Sequence, residues 1–268
     1  MERADESSIV RQTLEAGQVV PPSPVGLAES ITCPSLSIVM PVYNERRTIE
    51  QIIELVRSVE LDGWLKEIVV VDDCSTDGTR EWLIQHSDGI RLFLHPVNRG
   101  KGAAVRTGFQ AATGDVLLIQ DADLEYNPED YSRLLEPIRR GEADAVIGSR
   151  FLVEKPAFFR RNGNPFFSHY IGNRLIIWLT NLLYGFRATD YEGCYKAFRR
   201  VVVAQIPVQT DGFDFDNELV CKLLRRRMKI LEVPIRYAPR IYGEGKKIRW
   251  HDGVRILWTI VKWRIKRV

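Results

Sequence analysis

The chain has 268 residues, of which 45% are apolar and 27% charged, which is ordinary for a globular protein that is long enough to bury a core. Its 38 Lys and Arg residues stand against 35 Asp and Glu residues, and this balance gives no basic stripe that would favour nucleic-acid binding. The four cysteines form no CxxC pair, so neither a zinc site nor a disulfide framework is indicated. Neither a signal peptide nor a long uninterrupted apolar run is visible, so we expect no spanning helix and a cytoplasmic location.

The chain order of apolar patterns predicts one α/β domain with two appendages. Residues 1–34 are polar, contain the cluster PPSP and show no period, which predicts a mobile tail. In residues 35–245, helical patterns alternate with strand-like runs, namely LSIVMPVY, EIVVVDD, IRLFLHP, DVLLIQDADLE and ADAVIGSRF. This alternation predicts a mostly parallel sheet flanked by helices. Residues 246–268 are predicted to form a basic, amphipathic C-terminal helix.

Polar clusters stand at the ends of four predicted strands. They cover residues 41–45, 72–77, 121–125 and 149–150. In open α/β sheets, ligands bind beyond the carboxyl ends of the strands, so these clusters predict a single binding site at that edge. Packing alone does not explain four polar clusters in equivalent positions.

The carboxylates after the fourth predicted strand suggest a metal site. Asp121 and Asp123 directly follow the apolar run VLLIQ, and Glu125 comes two residues later. Mg²⁺ and Mn²⁺ bind carboxylate oxygens and keep positions open for phosphates. Glu125 can add a ligand, directly or through water. The alternative is a solvated acidic loop, which the strand-end position disfavours.

Two further segments have both a ligand-binding and a structural interpretation. Asp73 can accept a hydrogen bond from a base or a ribose hydroxyl, whereas Asp77 is expected mainly to cap the next helix. Residues 99–102 (RGKG) stand at a predicted helix start, where they can hold a phosphate. They lack the P-loop spacing, which disfavours an ATPase.

Taken together, the segments MPVYNE, VDDCSTDGT, NRGKGAAVRTGF, DADLE and GSRF resemble the inverting glycosyltransferases of family 2, which have the Rossmann-like GT-A fold. The later segments ATDYEGCYKAFRR, GFDFDNEL and EVPIRYAPRIYGEGKK are similar to those of the dolichyl-phosphate mannose and glucose synthases. The resemblance covers residues 36–245. It implies transfer of a hexose from a nucleotide sugar, of the GDP-mannose or UDP-glucose type, to a polyprenyl phosphate.

The same resemblance implies roles for individual residues. Those expected to contact the donor are Pro41, Tyr43, Glu45, Asp73, Lys101 and Asp121. Those expected to hold Mg²⁺ or Mn²⁺ are Asp121 and Asp123, with Glu125 where relatives often have Gln. Arg150 and Arg240 would contact phosphates and complete the catalytic set with the two aspartates. The residues expected to contact the acceptor are Arg161, Ser168 and Lys246, with Arg160 and His169 nearby. The sequence departs from the family pattern in the segment NPFFSHYIGN and at Gly245.

The nature of the acceptor turns on whether the chain supplies a general base. A hydroxyl acceptor must lose a proton, and related enzymes use an Asp in an ED motif before a QxxRW segment; this sequence has neither motif. A lipid phosphate is already anionic, so the phosphate acceptor is favoured. The alternative, a sugar or lipid hydroxyl, leaves Asp190, Glu192 and Glu218 as candidate bases unless they hold neighbouring arginines. An inactive nucleotide-sugar-binding scaffold is disfavoured by the intact DxD and Arg150.

Two apolar segments suggest contact with a membrane. The C-terminal VRILWTIVKWRIKRV predicts a helix with one apolar face edged by cations, which suits an anionic lipid surface. Residues 171–186 (IGNRLIIWLTNLLYGF) form a second apolar helix with a single charge. The alternative is that both helices pack in the core or at an oligomer interface. We therefore expect a peripheral protein at the cytoplasmic face of a membrane.

Overall fold

The computed structural model describes residues 34–152, 167–238 and 250–267, with the backbone alone described at 167–170 and 250. Within these ranges the strands are β1 (Ser35–Val42), β2 (Leu65–Asp72), β3 (Arg91–Leu94), β4 (Val116–Ile119), β5 (Ala145–Ser149), β6 (Lys196–Arg199) and β7 (Ile230–Pro234). The helices are α1 (Ile49–Ser58), α2 (Thr79–Gln85), α3 (Lys101–Ala111), α4 (Tyr131–Arg139), α5 (Phe167–Tyr184), α6 (Arg200–Val203), α7 (Phe215–Arg225) and α8 (Trp250–Ile265). A 3₁₀ turn (Pro128–Asp130) precedes α4.

The strands form one sheet in the order β3-β2-β1-β4-β6-β5-β7. The pairs β1–β2, β1–β4, β2–β3 and β5–β7 are parallel, whereas β6 runs antiparallel between β4 and β5. The predicted α/β fold with a mostly parallel sheet is therefore confirmed. The apolar pattern predicts β1 to β5 but misses β6 (KAFR) and β7 (ILEVP), in which charged residues stand among the apolar ones.

The core lies between the sheet and its helices. Strands β1, β2 and β4 are runs of Val, Ile and Leu that are buried on both faces, as expected for parallel strands covered by helices. Helix α1 buries Ile49, Ile52, Ile53 and Val56, which recur at helical spacing. Each such side chain contributes about 1.5–3 kcal/mol by leaving water. This packing fixes the strand ends that carry the polar clusters.

Helices α5, α7 and α8 share a second, smaller apolar cluster. It consists of Ile176, Cys221, Ile256, Ile260 and Trp263. The Tyr184 hydroxyl donates to the Ile260 carbonyl at 2.7 Å, and the Thr259 hydroxyl donates to Asp214 at 2.8 Å. These contacts attach the C-terminal helix to the α/β domain. In the parts of the chain that the structure describes, no helix has both the length and the apolar content to cross a bilayer.

Glu67 on β2 ties together the end of the sheet opposite the polar clusters. Its carboxylate accepts from the Ser37 hydroxyl on β1, from the Thr113 and Gly114 amides before β4, and from Arg91 on β3. Burial raises the pKa of Glu67, but the hydrogen bonds from Ser37, Thr113 and Arg91 outweigh burial and lower this pKa to about 2. The ionised form is therefore part of the folded structure.

We expect Glu67→Gln to destabilise the protein at neutral pH and to matter less in acid. A carboxyl whose pKa is lower in the folded chain contributes stability above its unfolded pKa, here 4.5, and loses it as the pH falls through its folded pKa, here about 2. Urea unfolding at a series of pH values checks this. The difference in unfolding free energy between wild type and variant should shrink across that window, whereas Glu81→Gln, at an exposed position of α2, should show no such trend.

Candidate active site

The loops after β1 and β2 are joined by reciprocal hydrogen bonds. The Asn44 amide donates to the Ser75 hydroxyl at 2.9 Å, and the Thr76 amide donates to the Asn44 side chain at 2.8 Å. The Glu45 amide donates to the Thr79 hydroxyl at 2.9 Å. Asn44 has a φ of 52°, a conformation that Asn tolerates better than most residues. The two loops thus form one wall of the site, which places Pro41, Tyr43 and Glu45 beside the β2 end.

Asp77 supports the start of α2 from the position before the N-cap, which is Gly78 and not Asp77. Its carboxylate accepts from the Thr79 amide at 3.1 Å and from the Arg46 amide at 3.1 Å. Burial raises the pKa of Asp77, but hydrogen bonds from the Thr79 hydroxyl and from the Arg46 and Thr79 amides outweigh burial and lower this pKa below its usual value. The ionised carboxylate therefore holds the start of α2 and links it to the loop after β1.

Asp73 is buried and organises the loop between β3 and α3. Its Oδ1 accepts from the Arg99 amide at 2.9 Å, and its Oδ2 accepts from the Gly100 amide at 2.7 Å. The His95 Nδ1 lies 2.7 Å from Oδ1, while the other ring nitrogen lies 2.9 Å from the Thr107 hydroxyl. Asp73 therefore fixes the backbone of the two residues that precede Lys101. Its contact with a nucleotide-sugar donor stays a prediction.

Helix α3 places a lysine against the first aspartate of the DxD motif. Lys101 Nζ lies 2.6 Å from Asp121 Oδ1. Burial lowers the pKa of Lys101, but the neighbouring carboxylates of Asp121 and Asp216 outweigh it and raise this pKa well above its usual value. The lysine is therefore charged and sits where it can share an anionic ligand with a cation bound to Asp121.

Three backbone amides at the start of α3, those of Gly100, Gly102 and Ala103, already donate to protein acceptors, so phosphate binding by residues 99–102 stays a prediction. The Gly102 and Ala103 amides donate to the Asp211 carbonyl at 2.8 and 3.3 Å. Gly100 has a φ of +95°, and a Cβ on it would collide with the same carbonyl. The glycines thus permit a close backbone contact, and the Lys101 side chain is the group that can reach a phosphate.

The other two acids of the DADLE segment differ in their contacts. Asp123 is half-buried, and its Oδ1 accepts from the Glu125 amide at 3.2 Å. The Glu125 carboxylate accepts from the Tyr237 hydroxyl at 3.1 Å. Among the described residues, no three His, Cys, Asp or Glu side chains are grouped to hold a metal. An ion on Asp121 and Asp123 would therefore need further oxygens from water or a ligand, and the metal role of Glu125 stays a prediction.

Arg150, at the end of β5, forms a bidentate ion pair with Asp190. The Arg150 Nε and Nη2 lie 2.7 and 2.9 Å from the two Asp190 oxygens. The Arg150 guanidinium also lies 5.1 Å from the centre of the Tyr237 ring. Burial raises the pKa of Asp190, but Arg150 outweighs it and keeps this pKa below its usual value. Asp190 therefore holds an arginine, the structural alternative considered for it.

Glu218 and Glu192 have different surroundings. Glu218 is fully buried and accepts from the Gln209 and Thr210 amides and from Lys222. Glu192 accepts from the Asn217 side chain at 2.8 Å, and burial raises the pKa of its carboxyl. Glu218 thus stabilises a loop, whereas Glu192 is the candidate base without a cation bound directly to it in the described structure.

Several predicted residues fall outside the description of the structure. Arg161, Arg240 and Lys246 lie outside the described residues, as do Arg160 and Gly245. Ser168 and His169 belong to α5, but their side chains are not described. The structure thus brings together Asp73, Lys101, Asp121, Asp123 and Arg150, while the predicted acceptor side remains a prediction.

Two residues that organise the site, His95 and Tyr237, were not predicted from the sequence. His95 directly follows β3, and the strand-end rule used for the other strands would have found it. Tyr237 follows β7 and contacts both Glu125 and Arg150. It lies in the segment EVPIRYAPRIYGEGKK, which marked the region, but its strand was not predicted and no role was assigned to it.

Comparison with known proteins identifies the family. The family model described as "Glycosyl transferase family 2" matches residues 37–206, which is more than half of the chain. The chain belongs to glycosyl transferase family 2. The family, fold class and enzyme class predicted from the motifs are thereby confirmed. The matched region contains the DxD segment and the Arg150–Asp190 pair.

Members of glycosyl transferase family 2 from archaea are among its curated relatives. One is the "Low-salt glycan biosynthesis hexosyltransferase Agl6" of Haloferax volcanii, 32% identical over 228 residues, covering 85% of this chain and 53% of that protein. Another is the "Dolichol-phosphate mannosyltransferase" of Pyrococcus furiosus, 31% identical over 235 residues, covering 85% of this chain and 64% of that protein. The chain thus spans only about half to two thirds of the length of these relatives.

Solved structures show the same fold. Glucosyl-3-phosphoglycerate synthase from Mycobacterium tuberculosis, in complex with Mn²⁺, UDP and phosphoglyceric acid, superposes with a TM-score of 0.64. It is 22% identical, and the match covers 88% of this chain and 80% of that chain. At this identity the similarity establishes the shared fold.

Proposed function

We propose that this family 2 enzyme transfers a hexose from a nucleotide sugar to a polyprenyl phosphate at a membrane surface, with the help of a divalent cation. The observation that supports this acceptor is that the three candidate bases all have protein partners in the described structure, and that two of these partners are cations. Asp190 is bound to Arg150, Glu218 is bound to a loop and to Lys222, and Glu192 is held by Asn217. A phosphate acceptor needs none of them as a base. The Pyrococcus relative, named as a dolichol-phosphate mannosyltransferase, supports the same class of acceptor.

The donor side of this proposal rests on complementary charge. Asp121 and Asp123 supply carboxylate oxygens of the kind that Mg²⁺ or Mn²⁺ prefers, and a cation there would neutralise the charge that builds on a departing nucleoside diphosphate. Lys101 beside Asp121 adds a second positive charge at the same place. Asp190 orients the planar guanidinium of Arg150. This group can donate hydrogen bonds to a phosphate, either of the nucleotide sugar or of the acceptor lipid.

The membrane side of the proposal rests on an exposed surface of two helices, which we call the α5–α8 apolar face. Its exposed apolar residues are Ile171, Leu175, Trp178 and Leu182 on α5 and Val254, Trp258 and Ile265 on α8. Exposed cations stand on the same helices, namely Arg174 on α5 and Arg255 and Arg264 on α8, and the exposed Lys266 directly follows α8. The opposite sides of these helices are packed in the protein. Apolar residues edged by cations suit an anionic lipid surface.

We expect Trp258→Ser to weaken binding to vesicles that contain anionic lipids by about tenfold, because one exposed Trp contributes more than about 1.4 kcal/mol when its surface leaves water. Cosedimentation with liposomes measures this. The matched control is Leu65→Ser: Leu65 is 72% exposed, Trp258 is 66% exposed, and Leu65 lies on β2 away from both helices. Equal binding of the two variants would contradict a membrane role for the α5–α8 apolar face. A deletion of 254–268 is a poorer test, since it also removes the buried Ile256, Ile260 and Trp263.

The test of the proposed reaction is transfer from radiolabelled nucleotide sugars, supplied one at a time with Mg²⁺ or Mn²⁺, to a polyprenyl phosphate. We expect a lipid-extractable, mild-acid-labile product that disappears when EDTA is added. A second set of reactions offers a polyprenol without phosphate and a sugar acceptor. A product from these hydroxyl acceptors alone would overturn the phosphate acceptor and point to Glu192 as the base.

A further inference from the structure

The turn formed by the DADLE segment is held from one side by the chain that follows β7. Leu124 has a φ of 61°, in the left-handed region that leucine rarely adopts, so this turn needs support from its neighbours. The Ala238 amide donates to the Glu125 carbonyl at 2.9 Å, and the Tyr237 hydroxyl donates to the Glu125 carboxylate at 3.1 Å. Tyr126 and Tyr237 also form an antiparallel bridge. Both the backbone and the side chain of Glu125 are therefore fixed by the residues after β7.

The ring of Tyr237 is itself held in place. The Arg150 guanidinium lies 5.1 Å from the centre of this ring, and the Tyr126 ring lies 5.3 Å from it at an angle of 47°. Arg150 is oriented in turn by its two hydrogen bonds to Asp190. A continuous series of contacts thus runs from Asp190 through Arg150 and Tyr237 to Glu125. The Tyr237 hydroxyl is therefore directed at the Glu125 carboxylate before any ligand binds.

We propose that Tyr237 is a positioning residue for cation binding, because its hydroxyl fixes the orientation of the Glu125 carboxylate. This inference rests on the proposed function, in which a divalent cation binds at the DADLE turn. Glu125 faces the ion directly or through water, and Tyr237 acts on the ion only through Glu125. A carboxylate on a long side chain loses conformational freedom when it binds an ion, and a hydrogen bond that already fixes it reduces this loss.

The experiment that tests this role measures Mn²⁺ binding to the full chain by electron paramagnetic resonance, with UDP or GDP present in separate series. Tyr237→Phe removes the hydroxyl but keeps the ring beside Arg150. We expect this variant to bind Mn²⁺ about tenfold more weakly, the usual effect of losing a hydrogen bond to a group that faces a metal.

The matched control is Tyr131→Phe. The Tyr131 hydroxyl is also a hydrogen-bond donor in the interior, to Gln120 at 2.6 Å, and does not contact Glu125. Both variants lose one phenolic hydroxyl, so urea unfolding should show that both are folded. We expect the Mn²⁺ affinity of Tyr131→Phe to stay within about twofold of wild type, because its hydrogen bond does not reach the DADLE turn.

A double-mutant cycle distinguishes positioning through Glu125 from a general structural effect. In a Glu125→Ala background, Tyr237→Phe should change Mn²⁺ affinity by less than about twofold, because the carboxylate that the hydroxyl orients is gone. In a Glu125→Gln background the amide oxygen can still accept from Tyr237, so removal of the hydroxyl should again weaken binding. Additive losses in the Glu125→Ala background would mean that Tyr237 acts on the site by another route.

Failure of this inference and failure of the proposed function give different results. Wild type that binds Mn²⁺ with a nucleotide, together with equal affinity in Tyr237→Phe or an equal loss in Tyr131→Phe, would refute the role of Tyr237 alone. Wild type that binds no Mn²⁺ with either UDP or GDP would refute the cation of the proposed function and the role of Tyr237 with it. The measurement needs no transfer, so it does not depend on the identity of the acceptor.

Discussion

Asp123→Ala is expected to lower transfer by on the order of 100-fold or more while the protein stays folded. Asp123 is half-buried, and the hydrogen bond that it accepts from the Glu125 amide is 3.2 Å long. Losing that bond costs about 1 kcal/mol or less. In the proposed mechanism the same carboxylate holds a cation against the donor diphosphate, so its loss removes charge stabilisation where negative charge builds on the leaving group. Steady-state transfer and urea unfolding of the same preparations measure the two effects.

The control for this prediction is Asp62→Ala. Asp62 is an exposed acid in the loop between α1 and β2, so its removal changes the net charge equally without touching the site. Titration of Mn²⁺ adds a second readout, because Asp123→Ala should bind the ion more weakly in the presence of the nucleotide. Full activity of Asp123→Ala would refute the metal assignment, and a large loss of stability would show that Asp123 is needed for folding.

Removal of Arg150 is expected to produce the largest loss of stability among the changes considered. Arg150→Met leaves the Asp190 carboxylate, which is 1% exposed, without its bidentate partner. Removing one partner of a buried ion pair costs about 3–5 kcal/mol, because the remaining charge stays buried. Chemical denaturation measures this loss. The cost should shrink as the pH falls, since protonation of Asp190 removes the uncompensated charge.

The double variant Arg150→Met with Asp190→Asn separates the two roles of Arg150. We expect it to regain at least half of the lost stability, because no buried charge is left without a partner. Transfer should stay low in both the single and the double variant if Arg150 contacts a phosphate. Recovery of transfer together with stability would instead mean that Arg150 acts only to hold Asp190.

Sequence patterns predicted the strands that lie deepest in the sheet and the residues at their ends. Strands β1, β2 and β4 are unbroken apolar runs, and the acids that follow them come together because parallel strands end at one edge. The contacts of these residues were not predictable. The pairing of Lys101 with Asp121 depends on how α3 crosses the sheet, and the Arg150–Asp190 pair joins positions 40 residues apart.

Strand β6 shows why a local sequence pattern can fail to predict a buried strand. Strand β6 includes Lys196, and this charged side chain is nevertheless fully buried because Asp216 lies 2.9 Å away and the Gly193 carbonyl lies at 2.5 Å. An alternation rule that counts lysine as exposed therefore fails at this strand. The compensating acid comes from α7, twenty residues later, which no short window of sequence contains.

The position of β6 also has a consequence for the synthesis of the chain. Strand β6 fills the gap between β4 and β5, although it is made about 50 residues after β5. Until residues 196–199 leave the ribosome, the facing edges of β4 and β5 have no partner, and unpaired edges of apolar strands promote association between nascent chains. A shortened protein that ends before Lys196 is therefore expected to accumulate as insoluble aggregates rather than as a smaller folded domain.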